Sequence, residues 1–217
     1  ANLPEVDLDH TEIQKVACGK DHCCALIQDG IVKCWGSNGE GQLGYDDADG
    51  RGSRQDHMGS NLLGVFLGQE ATDIGCGESL SCALLANGKA KCWGKNDKGQ
   101  LGQGNTNNVG KTSGSMLQLN DVDHGWGAGA NICVGKKFVC LHLTSGKAKC
   151  WGDNSKGQLG RQHSDDLGDS SAEMGDELKQ AGVSTPMTSL SCGGEHVCGL
   201  LEDGNVVCWG KGDQGRL

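Results

Sequence analysis

An internal repeat of 58 residues runs through almost the whole chain. The tripeptide Cys-Trp-Gly begins at Cys34, Cys92, Cys150 and Cys208, and each interval between these cysteines is 58 residues. The same interval separates Cys24, Cys82, Cys140 and Cys198. The 217 residues therefore hold four copies of one unit, of which the outer two are incomplete. A fixed period of this length is typical of arrays in which each unit shares its core with its neighbours.

Each copy contains three short apolar runs. In the first copy they cover residues 14–18, 22–27 and 31–35, and Gly and Asp residues separate them. Runs of this length between turn residues predict strands, and helical periodicity is limited to about one turn at residues 173–179. The pattern predicts an all-β, β-propeller-type array of four blades of about 58 residues. We treat residues 1–217 as one repeat domain, with copies at 1–44, 45–102, 103–160 and 161–217.

The hairpin between the second and third strand sets their register. Residues 28–30 read as a type I turn followed by a left-handed residue, and glycine, here Gly30, is the residue that adopts that conformation without steric cost. This loop places Cys24 opposite Cys34, within the range that a disulfide spans. The other predicted pairs are Cys82–Cys92, Cys140–Cys150 and Cys198–Cys208. The alternative is four pairs of buried, reduced thiols.

Five cysteines remain outside these pairs. They are Cys18, Cys23, Cys76, Cys133 and Cys192. Their number is odd, so at least one is free or pairs outside the chain. Cys133 lies one position away from the column of Cys18, Cys76 and Cys192, and such a shift turns a strand side chain to the opposite face. We therefore expect these cysteines to be buried thiols.

The charge and composition exclude several classes of protein. The net charge is −9, which argues against non-specific nucleic-acid binding. No run approaches the ~18 apolar residues of a membrane-spanning helix, and the first twenty residues do not resemble a signal peptide. No nucleophile, phosphate-loop or dinucleotide motif occurs. We expect a chain that is not an enzyme and that has no catalytic or cofactor-binding residues.

Three groups of residues suggest a metal site, two for zinc and one for calcium, and none is convincing. His22 with Cys23 and Cys24, and His196 with Cys192 and Cys198, could bind zinc, but Leu80 and Phe138 occupy the histidine position in the other copies. Residues 46–50 are similar to a calcium loop, yet Tyr45 stands at the first ligand position and no closing Glu follows. We expect no metal at any of these three places.

The repeated tryptophans are the remaining candidate for a ligand site. Trp35, Trp93, Trp151 and Trp209 each stand at the end of a predicted strand. They could stack on a ligand or absorb light. Packing is the better interpretation, because aromatic side chains dominate burial in small cores.

The repeat resembles that of the regulator of chromosome condensation family. The first copy carries the motif as Cys-Gly-x-x-His-x-Cys-Ala-Leu from Cys18, Asp-Gly-x-Val-x-Cys-Trp-Gly from Asp29, and Gly-Gln-Leu-Gly from Gly41. The resemblance recurs in every copy and implies a propeller, which in this family usually has seven blades. Four copies would then be part of a larger or multi-chain propeller or assembly.

Two functions are consistent with these observations. The first is a non-enzymatic, extracellular structural, adhesive or protein-binding module, such as a subunit of a fibre or larger assembly, and the paired cysteines favour it. The second, implied by the resemblance, is a regulatory propeller that acts on a small GTPase. The expected partner is protein: a further copy of the chain, a fibre or a longer parent chain. At the ends of the array we expect exposed apolar residues that would contact further blades, namely Val6, Leu8, Ile13, Val16, Trp209 and Leu217.

Overall fold

The computed structural model describes residues 3, 5–9 and 12–215, and these form four three-stranded antiparallel sheets, the blades. Blade 1 contains β1 (Ile13–Cys18), β2 (His22–Ile27) and β3 (Val32–Gly36). Blade 2 contains β4 (Ala71–Cys76), β5 (Leu80–Leu85) and β6 (Ala90–Gly94). Blade 3 contains β7 (Gly129–Val134), β8 (Phe138–Leu143) and β9 (Ala148–Gly152). Blade 4 contains β10 (Met187–Cys192), β11 (His196–Leu201) and β12 (Val206–Gly210). The all-β prediction is confirmed.

Helical structure in the described part of the chain is limited to short 3-10 turns. They are Gln28–Gly30, Gln55–His57, Gly59–Asn61, Ser171–Glu173, Gly175–Glu177 and Asp213–Gly215. None of these segments is long and apolar enough to cross a membrane.

The hairpin turns follow the prediction in three copies and depart from it in the first. Gly88, Gly146 and Gly204 alone have positive φ in their turns. In blade 1 both Asp29 (φ 63°) and Gly30 (φ 73°) are left-handed, so the expected type I turn is wrong there. Aspartate tolerates this conformation better than most residues, since its short polar side chain bonds locally. The register is nevertheless the predicted one, with Cys24 opposite Cys34.

Consecutive blades pack face to face, and each shared core joins two of them. We call the face of a blade that meets the next blade its trailing face, and the face that meets the preceding blade its leading face. One core, for example, joins Leu26 and Val32 of blade 1 to Ile74 and Trp93 of blade 2. Because side chains alternate along a strand, each blade presents one row of apolar residues to each neighbour.

The segments between blades cover the outer strand of the blade before them. Gly36 pairs with Arg51, Gly94 with Val109, and Gly152 with Leu167. The Tyr45 hydroxyl lies 3.0 Å from both the backbone nitrogen and the carbonyl oxygen of Cys34. These contacts satisfy backbone groups that an edge strand would otherwise leave unpaired.

Leu8 differs from the prediction, because it is only 6% exposed. It packs with Ala25 of blade 1 and Leu62 of the segment between blades 1 and 2. Lys33 Nζ donates a hydrogen bond of 2.8 Å to the Leu8 carbonyl, just as Lys91 Nζ donates one of 3.0 Å to the carbonyl of Leu67. Leu8 therefore occupies the place on blade 1 that Leu67 occupies on blade 2, and it is covered by blade 1 and the segment that follows this blade.

Candidate binding surfaces on the open blade faces

The repeated tryptophans form the joints between blades. Trp93 Nε1 donates to the carbonyl of Gln42 in the preceding copy at 3.0 Å. Trp151 and Trp209 make the equivalent bonds to Gln100 (3.1 Å) and Gln158 (3.0 Å). Trp93 and Trp151 are fully buried, whereas Trp35 and Trp209 are half-buried. This environment is that of a packing residue, with the indole nitrogen bonded inside the protein.

The four cysteine pairs of the hairpins are disulfides in the structure. They join Cys24 to Cys34, Cys82 to Cys92, Cys140 to Cys150 and Cys198 to Cys208. All four lie on trailing faces, so the next blade covers the first three pairs completely. The pair in blade 4 is half-buried.

Two further disulfides correct the expectation of buried thiols. Cys18 is bonded to Cys23 within blade 1, and Cys133 of blade 3 is bonded to Cys192 of blade 4. Cys133 points to the opposite face from Cys192, as the shift by one position requires. The trailing face of one blade meets the leading face of the next. Cys133 on the trailing face of blade 3 therefore comes close to Cys192 on the leading face of blade 4. Cys76 is the one free cysteine among the described residues.

The same two positions face each other at every joint between blades. The counterparts of Cys133 and Cys192 at the joint of blades 2 and 3 are Gly75 and Val134, and a Cβ on Gly75 would lie 2.6 Å from Val134 Cγ2. At the joint of blades 1 and 2 they are Ala17 and Cys76, which lie in one core. The position of Cys133 in a blade therefore faces the position of Cys192 in the next.

The leading face of blade 1 is open in the structure. Val16 is 55% exposed, whereas Ile74, its counterpart in blade 2, is 1% exposed. Cys18 is exposed as well, although its counterparts Cys76 and Cys192 are buried or half-buried. Val6 and Ile13 are also exposed, as expected. These side chains lie where blades 2 to 4 receive a preceding blade.

The trailing face of blade 4 is open in the same way. Val206 is 65% exposed, whereas Ala90, its counterpart in blade 2, is fully buried. Leu200 is likewise exposed, and the equivalent Leu84 is buried. Leu217, which we expected to be exposed, lies outside the described residues.

A buried polar cluster lies at the joint of blades 1 and 2. Ser81 donates its hydroxyl hydrogen to the Gln42 carbonyl at 2.8 Å. His22 Nε2 therefore donates to the Ser81 oxygen at 2.9 Å, and the Cys76 thiol lies 3.9 Å from that oxygen. Burial lowers the pKa of His22 to about 4 and raises the pKa of Cys76 to about 12. Both groups are consequently neutral at pH 7.

The cysteines of the two possible zinc sites are occupied by disulfides. His22, Cys24 and Cys76 place ligand atoms within 4.8 Å of one another, but Cys24 is bonded to Cys34. Around His196, Cys192 is bonded to Cys133 and Cys198 to Cys208. Zinc binds the thiolate form of cysteine, which a disulfide does not supply.

The acidic loop at residues 46–50 makes contacts within the protein. The Asp46 carboxylate accepts hydrogen bonds from the backbone of Gly114 and Met116 and from the Ser115 hydroxyl. Asp47 forms an ion pair of 2.6 Å with Arg51. These carboxylates hold the segments between blades together.

Sequence comparisons identify the repeat. The family model described as "Regulator of chromosome condensation (RCC1) repeat" matches residues 13–42, 71–100 and 187–216. The chain is 29% identical over 215 residues to the ultraviolet-B receptor UVR8 of Arabidopsis thaliana, covering 98% of this chain and 44% of that protein. It is 30% identical over 213 residues to the human E3 ubiquitin-protein ligase HERC2, covering 94% of this chain and 4% of that protein. The chain thus spans less than half the length of these relatives.

Solved structures share the fold. The structure of Prp20p from Saccharomyces cerevisiae, described with its binding properties to Gsp1p and histones, matches with a TM-score of 0.65 at 22% identity, covering 91% of this chain and 44% of Prp20p. The ectodomain of the receptor kinase CR4 from Physcomitrella patens matches with a TM-score of 0.50 at 24% identity, covering 90% of this chain and 39% of that one.

Proposed function

The chain is built from regulator of chromosome condensation (RCC1) repeats, and from this premise we propose that it is a protein-binding array of blades that works outside the cell. In this proposal it contributes structure and contacts, and catalysis has no part. The ligase named in HERC2 is a protein of which this chain matches 4%, so its activity does not transfer here.

The six disulfides are the observation that supports an extracellular location. They engage twelve of the thirteen cysteines. Disulfides persist in oxidising compartments and are rare in the cytosol. The CR4 structure supports the same proposal, because the protein of similar fold is there the ectodomain of a receptor kinase.

The two open faces indicate that the partner is another blade of the same type. Every joint inside the chain pairs a trailing face with a leading face, so the open leading face of blade 1 fits the trailing face of another RCC1-type blade. The blade would come from a second copy bound head to tail or from a longer parent chain. A head-to-tail contact closes into a ring or continues as a fibre, depending on the rotation between subunits.

Thiol counting tests the proposed location. The protein is expressed through a secretory pathway, unfolded in an alkylating reagent without reductant and analysed by mass spectrometry. We expect one modified cysteine, Cys76, and full modification only after reduction. Modification of all thirteen cysteines without reductant in protein purified from its natural source would contradict an extracellular role.

Light scattering tests the proposed partner. The purified chain should associate beyond the monomer as its concentration rises. Substitution Val16→Asp places a charge on the leading face and should reduce this association, whereas the matched control Leu117→Asp changes an exposed residue in the segment between blades 2 and 3. A chain that stays monomeric at high concentration would exclude the head-to-tail copy as the partner.

A second candidate function is the regulation of a small GTPase. The observation that favours it is the likeness of fold to Prp20p, which is described with binding properties to Gsp1p and histones. Calorimetric titration of the chain with Gsp1p tests it. Binding that survives full reduction of the six disulfides would favour this candidate over the extracellular one.

A further inference from the structure

We propose that the Cys18–Cys23 disulfide is a covalent docking site for a further RCC1-type blade that carries a cysteine thiol at the position of Cys133. This inference rests on the docking of blades proposed above. It adds the chemistry by which the joint is locked and the residue that the incoming blade must carry.

The repeat places Cys18 at the position that forms the bond. Cys18 lies 174 residues before Cys192, which is three repeat lengths. Cys192 is bonded to Cys133 of the preceding blade, with the two Cα atoms 5.5 Å apart. A blade docked on blade 1 in the same manner would bring its equivalent of Cys133 to the same distance from Cys18, which disulfide geometry allows.

The Cys18–Cys23 bond occupies the surface on which that blade would dock. Cys18 is exposed and Cys23 is half-buried on the leading face of blade 1. The counterparts of this pair in blade 2 are Cys76 and Ser81, which the preceding blade covers. An attacking thiol therefore has access to the bond before docking, and water is excluded from it afterwards.

The exchange needs no oxidant. The thiolate of the incoming cysteine attacks Cys18 Sγ, a new sulfur–sulfur bond forms, and the bond from Cys18 to Cys23 breaks. Cys23 leaves as a thiolate and takes up the proton that the incoming thiol lost. The number of disulfides is unchanged, and one intrablade bond becomes a bond between blades.

The released Cys23 fits the joint as a thiol. In the other three copies its position holds Ser81, Val139 and Val197, all buried beneath the preceding blade. These side chains are close in size to cysteine, and free cysteine behaves as a small apolar residue. The joint can therefore close over Cys23 once its bond to Cys18 is broken.

The chain itself supplies a probe of this site. Ser191 of blade 4 stands at the position of Cys133 and is exposed on the open trailing face. In a head-to-tail pair it would face Cys18 of the second copy. Substitution Ser191→Cys therefore provides the required thiol on a blade of the correct type, and Ser53→Cys, at an exposed serine between blades, provides a matched thiol elsewhere.

The experiment incubates each variant at high concentration in its folded state and separates the products on non-reducing gels. We expect disulfide-linked oligomers of Ser191→Cys, with peptide mapping showing the introduced thiol bonded to Cys18 and one new free thiol at Cys23. The same oligomers should be absent from Ser53→Cys and from the double variant Ser191→Cys, Cys18→Ser. An unchanged urea midpoint for Ser191→Cys confirms that the variant folds.

The outcomes separate this inference from the proposed docking. If light scattering shows association of the wild-type chain but Ser191→Cys forms no bond to Cys18, the docking stands and the covalent site is wrong. A bond from the introduced thiol to another cysteine overturns the covalent site as well. If the chain stays monomeric and no bond forms, the head-to-tail copy as the partner and the covalent site are both wrong.

Discussion

The joint between blades 1 and 2 offers a direct test of the pairing rule between neighbouring blades. Ala17 and Cys76 stand at the positions of Cys133 and Cys192, and Cys76 is a free thiol. Substitution Ala17→Cys should therefore produce a seventh disulfide, which joins blade 1 to blade 2.

The expected gain in stability follows from the length of the loop that this bond closes. Cys133 and Cys192 are separated by 59 residues, and Ala17 and Cys76 have the same separation. Loop-closure entropy gives a stabilisation of about 4 kcal/mol for such a loop, against about 3 kcal/mol for the ten-residue separation of a hairpin pair. Strain at an engineered site reduces this figure, so about 4 kcal/mol is the upper end of the expectation.

Urea unfolding without reductant measures the effect, with Ala17→Ser as the control that adds a side chain of similar size and no thiol. Ala17→Cys should have a higher midpoint than both the wild-type chain and the control, and unfolding in an alkylating reagent should modify no cysteine. If Cys76 is still modified and the introduced thiol is free, the two positions do not face each other. The rule derived from Cys133 and Cys192 would then fail at this joint.

Three other predictions concern the buried residues. Cys76, whose pKa burial raises to about 12, should resist alkylation at pH 7 in the folded protein and react within minutes in urea; rapid labelling of the native chain would contradict its burial. Trp151→Ala should lower the free energy of unfolding by ~3–5 kcal/mol, because the side chain is fully buried. The control Trp126→Ala, at an 82% exposed position, should lower it by less than ~0.5 kcal/mol. Equal losses in urea unfolding would be inconsistent with the two environments. Burial lowers the pKa of His22 from 6.5 to about 4, so the unfolded state takes up a proton on His22 at a higher pH than the folded state does. The free energy of unfolding of the wild-type chain should therefore fall by up to ~3 kcal/mol as the pH falls from 6.5 to 4. His22→Leu, which copies Leu80 of blade 2, should remove this part of the loss, and equal pH dependence of the two proteins in urea titrations would refute it.

The sequence alone was sufficient for features that depend on one copy of the repeat. The register of Cys24 and Cys34 follows from a short hairpin whose loop length is visible in the sequence. The strand bounds follow from apolar runs between turn residues. These are local properties, and each recurs in all four copies of the repeat.

Features that join two blades could not be obtained in this way. The Cys133–Cys192 bond depends on which face of one sheet meets which face of the next, and a pattern within a copy does not contain that relation. The burial of Leu8 also depends on segments distant in sequence, because Leu8 packs with Ala25 and Leu62 and its carbonyl accepts a hydrogen bond from Lys33. One signal was present: Cys133 is displaced by one position from the column of Cys18, Cys76 and Cys192, and such a shift turns a side chain to the opposite face of the blade.

The placement of the hairpin disulfides on trailing faces sets the order in which a reductant can reach them. The bridges of blades 1 to 3 are each shielded from solvent by the following blade, whereas Cys198–Cys208 is half-buried. A reductant that reaches this last bridge loosens the blade that covers Cys140–Cys150, and so exposes the next bond in turn. Loss of structure should therefore progress from blade 4 towards blade 1, and any partner bound to the trailing face of blade 4 would protect every hairpin bridge behind it.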